Sequence, residues 1–575
     1  MPQETIASPA ADESAALKPP RADAPDGRLP IVIAVTGHRH LRVADLPQHR
    51  AHVRELFAHL RQRYPATPLR IVSALAEGAD RLVAEVALEQ GHELLVPLPL
   101  EPADYEHDFP DSIAEFHAIL RRVPPEQVFV FPRERGSDPE TLTPQELRER
   151  RYRAVDIFLA QQSHLLLALW DGRPTSSLAG TATVVRLKLE GPAGTPEAGL
   201  RPLDAEDGGP VYHLHAPRAG EAAQILKKPE WLFPQEGDEA LFRTLCSRLE
   251  RFNSEPRRRS IAHQLPAAAA ALLPDIGSHS APERSLATAF AAADLLARHY
   301  QRTTRVVLGL TLICAALLAL TFELYAEIMP WRVLPAGYLA AFASLTGILL
   351  WQSRRDVQGR YLDYRALAEG LRVQFYWRLA GLPDSASSSY LRKQLDELRW
   401  IREALRAAAA LTPPQVAHPE LAIEHWVGGQ AVYYADRAHS QRKRLHALER
   451  RSRVFLGAGL LATAVLVVFW NRLETQPLWH RWLVVLMGFA PIGAALWETY
   501  VERLGLRTQV NQYARFAGIF RRAKRFAERL ERHPTRHDRH HALVALLREL
   551  GREALMENGD WVLLLRERPI VLPKG

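Results

Sequence analysis

A chain of 575 residues, 47% hydrophobic and 24% charged, is too long for one domain at roughly 100–200 residues each. It is too evenly mixed to be disordered or wholly membrane-buried. Two cysteines, Cys246 and Cys314, exclude a disulfide scaffold or a multi-cysteine zinc site, and a net charge of +8 placed beside apolar segments points to a membrane surface rather than nucleic acid.

Residues 1–28 combine Ala, Pro and acidic residues without an apolar core, so they read as a disordered leader and not a signal peptide. From residue 31 strands are expected at Ile31–Val35, Leu69–Ala74, Glu93–Leu98, Val128–Phe131, His164–Trp170 and Val211–His215. Helices are expected near 46–63, 79–90, 111–122, 143–162 and 180–190. That alternation predicts a Rossmann-like α/β domain over 29–254, a parallel sheet with helices on both faces. Ligands then sit beyond the carboxyl ends of the strands.

Three strand ends carry the candidate ligand-binding residues. In Thr36-Gly37-His38-Arg39, Gly permits close backbone approach and Arg supplies a phosphate-pairing fork. Glu77-Gly78-Ala79-Asp80 opens a helix whose amides can hold an anion, with Glu77 placed to accept ribose hydroxyls. Trp170-Asp171-Gly172 is followed by Gly180-Thr181-Ala182, which opens another helix. No catalytic and no metal set is assigned. The 23 histidines show no metal spacing, and the densest group, Arg536-His537-Asp538-Arg539-His540-His541, reads as an exposed charged stretch. His213 and His215 share one face of a strand and support the sheet. Lys227-Lys228 and residues 191–210 read as surface loops, and 255–284 as a linker. Its Arg257-Arg258-Arg259 lacks interleaved aromatics and suits lipid headgroups better than nucleic acid.

Four apolar segments follow: 306–322, 333–351, 454–470 and 482–497. Each is close to the ~20 residues of a spanning helix. Buried core helices are the alternative, but the segments come in pairs ending in Tyr325, Trp331 and Trp351, then Trp470, Trp482, Trp497 and Tyr500, as interfacial aromatics do. None of the four contains a charged residue, Glu323 falling in the first hairpin loop. Arginines crowd the outer flanks, from Arg298, Arg302 and Arg305 to Arg503 and Arg507, so by the positive-inside rule both termini and the central region are cytoplasmic. The region also repeats internally. Tyr364, Ala368 and Arg372 align with Tyr513, Ala517 and Arg521; Arg402-Glu403-Ala404-Leu405 aligns with Arg552-Glu553-Ala554-Leu555; Trp426-Val427 aligns with Trp561-Val562. The two units cover 285–430 and 431–575. In the first, Tyr364, Leu367, Ala368, Leu371 and Phe375 form an apolar stripe in search of a partner. Arg365, Arg372 and Arg378 lie elsewhere, as a solvated or lipid-facing basic face.

The succession VTGHR, SALAEGADRLVAEVAL, LPLEPADYEHDF, LLLALWDG and AGTATVV, over about 29–217, resembles the SLOG superfamily, related to DprA and LOG proteins. YRALAEGLR at 364–372 and ENGDWVLLLRERP at 557–569 make the repeats similar to SLATT domains, two-transmembrane effectors. The resemblance implies a bacterial inner-membrane protein whose cytoplasmic domain senses a nucleotide or nucleotide-derived signal. That signal would gate a pore-forming or membrane-disrupting helical part, as a homo-oligomer in an anti-phage or stress response. The implied partners are that small molecule and the lipid bilayer, with no cofactor and no nucleic acid. LOG-type hydrolases carry PGGxGTxxE; here Leu178-Ala179-Gly180-Thr181-Ala182-Thr183-Val184 lacks the Pro-Gly-Gly, and Val184 replaces the acid. That departure favours binding over catalysis, and a membrane-anchored hydrolase of nucleotide or NAD derivatives, with Glu77 as its acid, is the alternative.

Overall fold

The computed structural model describes residues 27–131, 143–174, 180–191, 208–220, 226–259, 261–390, 398–410, 416–530 and 536–567. Residues 1–26 of the expected leader, most of the 191–210 loop, Leu178, Ala179, Arg568 and Pro569 lie outside them, as do the side chains of Arg258, Arg536 and His537.

Seven strands form one sheet: β1 (Ile31–Gly37), β2 (Leu69–Val72), β3 (Glu93–Leu98), β4 (Val128–Val130), β5 (Leu165–Trp170), β6 (Val211–His215) and β7 (Glu230–Leu232). The order is β4-β3-β2-β1-β5-β6-β7, parallel except for β7, which runs antiparallel beside β6. The sequence reading misses β7, a three-residue edge strand too short to show alternation. Period-two alternation sends Ile31, Ile33 and Val35 to one face and Val32 and Ala34 to the other. Helices α1 (Leu46–Arg63), α2 (Ala79–Glu89) and α3 (Ile113–Leu120) cover the first face. Helices α4 (Pro144–Gln162) and α5 (Thr181–Glu190) cover the second. The start of α4 follows from its sequence: Thr143 accepts from the Glu146 amide while Glu146 reaches back to the Thr143 amide.

The expected linker begins inside a helix. α6 (Asp238–Arg258) carries Leu245, Leu249 and Phe252 into the first core and runs through Pro256. The helical half then comprises α7 (Ala281–Glu327), α8 (Val333–Arg355), α9 (Val357–Leu379), α10 (Arg399–Ala409), α11 (Gly429–Val468), α12 (Pro477–Arg503), α13 (Leu506–Leu530) and α14 (Arg536–Arg566). Four helices, led by α7, α8, α11 and α12, are long and apolar enough to cross a membrane. No more than 22% of the most apolar stretch of any of them is buried inside the protein, leaving Leu339, Leu460 and Val467 exposed. At ~25 cal/mol per Å2 of apolar surface, such faces call for lipid.

Three findings differ from the sequence reading. Glu323 belongs to α7, not to a loop, and its carboxylate packs on α12 midway along the fourth span: a Cβ on Gly488 would lie 2.5 Å from its Oε1. Cβ vectors tilt toward the helix N-terminus, so this side chain leans back along the span. Second, the basic residues of α9 are not a solvated or lipid-facing face. Arg372 and Arg378 are buried, and Arg365 and Arg372 pair with Asp294 and Glu369. Arg372 is buried whereas its aligned partner Arg521 is exposed, because α9 is enclosed by α7, α10 and α14. Third, α10 docks on the amino ends of the sheet. Arg70 Nη1 donates to the carbonyls of Ala410 at 2.8 Å and Ala407 at 3.3 Å, capping the open end of α10. His164, neutral because burial lowers its pKa to about 4, bridges the Val32 amide (3.1 Å) and the Glu403 carbonyl (2.9 Å).

The other joint between the halves is Glu255 of α6. Its Oε1 accepts from Tyr300 Oη of α7 at 2.9 Å and Arg360 Nη1 of α9 at 2.9 Å, and its Oε2 from Tyr364 Oη at 2.8 Å. Removing one side of a buried ion pair costs about 3–5 kcal/mol. Glu255→Ala should therefore lower the thermal midpoint of the detergent-solubilised chain by several degrees. An unchanged midpoint would show that this carboxylate does not hold the halves together.

Candidate functional site

β1 and β5 lie side by side and parallel, yet the chain leaves them in opposite directions, toward β2 and toward β6. This is a topological switch point, where an open α/β sheet leaves a crevice. The strand ends named from the sequence meet there. His38 N donates to the Leu169 carbonyl at 3.0 Å, and the Asp171 amide donates to His38 Nε2 at 3.1 Å. The Ala79 amide donates to the His38 carbonyl at 3.1 Å, tying the start of α2 to the end of β1. Glycine is required at two of these crossings. A Cβ on Gly37 would lie 2.3 Å from the Ala79 Cβ, and Gly78, with φ +84°, would place one 2.1 Å from the Arg39 carbonyl oxygen.

The candidates divide by exposure. Arg39 has 45% of its side chain exposed and Asp108 Oδ2 lies 3.9 Å away. Glu77 is half-buried, with no hydrogen bond or ion pair among the described residues. Trp170, half-buried, stacks at a tilt on His213, ring centroids 5.6 Å apart, and offers an aromatic surface. Asp171 lies 3.4 Å from His38 Nε2 and accepts from Arg218 Nε at 3.1 Å and the Arg173 amide at 3.0 Å. Burial raises its pKa, but the Arg173 amide, His38 and Arg218 outweigh burial and hold it below the usual carboxylate range. Gly172 and Gly180 both have positive φ, and α5 begins at Thr181 after a glycine N-cap, which has no side chain to cap it, while Asp156 takes the Gly180 amide just before it; a helix start of this kind suits an anion.

Thr36, Ala79 and Asp80 are buried, so they shape the site from behind instead of lining it. The start of α2 is not an open anion seat: its Ala79 amide is spent on His38, and the Asp80 carboxyl occupies the first turn, near the Ala76 amide and 3.4 Å from Ser73 Oγ. Burial pushes Asp80 up to about 7, against the Ala76 and Ser73 hydrogen bonds. Burial also pushes Asp156 up to about 6; its Oδ2 accepts from the Gly180 amide at 3.0 Å and holds the turn before α5. Between β2 and α2, Leu75 takes φ +57°. Its amide is held by Ser73 Oγ at 3.2 Å and its carbonyl by Arg81 Nε at 3.1 Å, a strained residue beside the crevice.

Sequence reasoning missed Asp108, Arg148, Tyr152, Asp156 and Arg218. Arg148 and Tyr152 both donate to Asp108, building a second wall around Arg39. Arg148, Tyr152 and Asp156 recur every four residues on α4, a polar stripe at helical spacing that could have been read. Arg218 follows a strand end as Arg39 does. Asp108 lies within LPLEPADYEHDF, but no spacing there marks it as a residue of the site. Among the described residues no three His, Cys, Asp or Glu side chains gather as a metal would need.

No protein-family model, no curated protein and no solved structure matches this chain, so its function has to be read from its own residues.

Asp80 supplies a test of the geometry. Its folded pKa lies above the unfolded value of 3.8, so the native state holds the proton more tightly and loses stability as pH rises from about 4 to about 7. Asp80→Asn removes that cost. Relative to the native chain the variant should gain thermal stability between pH 5 and pH 8; a pH-independent difference would mean Asp80 is not buried as described.

Proposed function

We propose that this chain is a membrane-embedded bacterial effector whose sheet domain binds a nucleotide or nucleotide-derived anion and thereby gates the helical half. The observation that carries the reading is the topological switch point between β1 and β5, where His38 ties the turn that carries Arg39 to the strand end that carries Trp170 and Asp171, with α5 starting just beyond. It lies in the same chain as four helices fit to cross a bilayer. Arg39 pairs with phosphate, the α5 amides receive a second anionic oxygen, and Trp170 stacks a base.

In this reading the helical half sits in the bacterial inner membrane with both termini cytoplasmic, the side favoured by the arginines flanking the spans. It resembles paired SLATT hairpins, and the sheet resembles a SLOG domain. Gating requires that the ligand bind the open arrangement more tightly than the closed one, since only differential affinity shifts a population. Two joints stand available to carry the change: Glu255, and α10 under the amino ends of the strands. A homo-oligomer would assemble the pore, and Glu323 at the depth of the fourth span gives that pore a carboxylate, favouring cations.

A membrane-anchored hydrolase of nucleotide derivatives is the second reading. The observation in its favour is that burial raises Asp80 to about 7 and Asp156 to about 6, toward the range a general acid needs. Against it, both carboxyls already accept backbone hydrogen bonds that shape loops.

The deciding experiment titrates the full chain in detergent with a panel of nucleotides, cyclic dinucleotides and ADP-ribose derivatives, reading intact ligand mass afterwards, and measures dye release from liposomes. A charge-assisted hydrogen bond contributes about 1.5–3 kcal/mol, so Arg39→Ala should weaken binding about ten- to hundredfold and abolish ligand-triggered release while membrane insertion persists. Full response by the variant would overturn the site. Turnover of a panel member would put the hydrolase first.

A further inference from the structure

We propose that the cytoplasmic collar of the helical half holds the phosphate of an anionic phospholipid between Arg305 and Arg503. These two arginines line a cavity of about 30 Å3 formed where α7 enters its span, α9 leaves the first hairpin and α12 leaves the second. Gln301, Thr304, Gln358, Tyr361 and Gln509 complete its polar wall, and no Asp or Glu among the described residues lines it. Two cations, with no carboxylate among the described lining residues, make a wall that favours anions.

The depth is that of headgroups. Arg305 directly precedes Val306, the first exposed residue of the apolar run, and Arg503 ends α12 one turn beyond Tyr500. The wall is also fixed in place. Gln358 Nε2 donates to the Leu565 carbonyl at 3.2 Å and Gln509 Nε2 to the Leu504 carbonyl at 3.0 Å. Gln301 Nε2 donates to Tyr361 Oη at 2.9 Å, which uses the phenol as an acceptor. The phenol's own proton has no acceptor among the described residues, although Tyr361 is only 9% exposed. Burial keeps that proton on, with the pKa pushed up to about 12. A buried donor without an acceptor is costly, and an anion in the cavity would supply one.

Size and surroundings identify the ligand. The volume is that of about two water molecules, enough for the two non-bridging oxygens of a phosphodiester, with the rest of the molecule outside. Val306 and Leu310, 59% and 45% exposed, stand on one face of α7 directly beyond Arg305. They provide an apolar track for an acyl chain. A soluble phosphate would meet the same cations and leave that track bare. The inference goes beyond ligand gating and requires only that the spans lie in a bilayer.

The test uses the full chain in neutral detergent, titrated with phosphatidylglycerol or phosphatidylcholine and read by native mass spectrometry. Phosphatidylglycerol should be retained about tenfold more tightly, as charge-assisted pairing with two arginines predicts. The double variant Arg305→Gln/Arg503→Gln should lose that preference. Tyr361→Phe should reduce it about threefold, and it decides the matter if the double variant fails to fold. Equal retention of the two lipids by the native chain, or an unchanged preference in the variants, overturns the proposal. Glycerol 3-phosphate at the same concentrations should displace no lipid; displacement would assign the site to soluble phosphate and overturn the lipid. Nucleotide binding is not read in this titration, so the gating reading stands or falls separately.

Discussion

The carboxylate of Glu255 must satisfy three elements at once, and the position of the two halves of the molecule depends on it. It stands near the end of the last helix of the sheet domain, buried, and receives two tyrosine hydroxyls and an arginine from the two stems that lead to the first hairpin. Desolvating a carboxylate and a guanidinium costs several kcal/mol per ion. The cost is offset because both oxygens are hydrogen-bonded and the cation is in direct contact. Arg259 and Arg360 extend the cluster, both donating to Tyr300 Oη, at 2.6 and 2.8 Å. Apolar packing would hold these helices together at many relative rotations; a cluster with directional bonds allows one.

The same solution recurs one layer further in. Helix α9 is buried on nearly every side although it contains Arg365, Arg372 and Arg378. Asp294 and Glu369 make that tolerable by pairing with two of them. Beside it Tyr376 lies flat on Trp426, centroids 5.3 Å apart, and Trp377 Nε1 donates to the Leu547 carbonyl at 3.0 Å. Aromatic residues with one polar atom suit such a core because the polar atom finds a partner while the ring fills volume.

Much of the sheet was legible because its signals are local. Period-two apolar runs place β1, β3 and β6 to within two residues, and the helical stretches between them place the starts of α1, α2 and α4 to within one. The switch point was legible as three strand ends with glycine, but not its depth: Asp80 and Ala79 look like rim residues in sequence and are buried behind it. Sequence cannot tell a carboxyl that faces a ligand from one that closes its own loop, because the difference lies in where the neighbouring loop runs. The basic residues of α9 misled for the same reason. A helix with arginines off its apolar stripe looks amphipathic until acids from other helices, far along the chain, are brought against it. Glu323 shows the converse. It follows the apolar run by one residue, yet the helix continues and carries its side chain into contact with the second hairpin.

Helix α7 has a mechanical consequence. It is a single rod of 47 residues whose only proline is at its first turn, so no proline kinks it along its length. At 1.5 Å per residue it is about 70 Å long. Its lower part packs beside the sheet domain and its upper part is the first apolar span. A rod cannot absorb displacement at one end; it hands it on, multiplied by length. A tilt of about 5° at the sheet end moves the far tip by about 6 Å, more than one helical turn, across the outer face of the bundle. Arg481, which donates to the Ile328 carbonyl at 3.1 Å just past that tip, then ties the start of α12 to whatever the rod does.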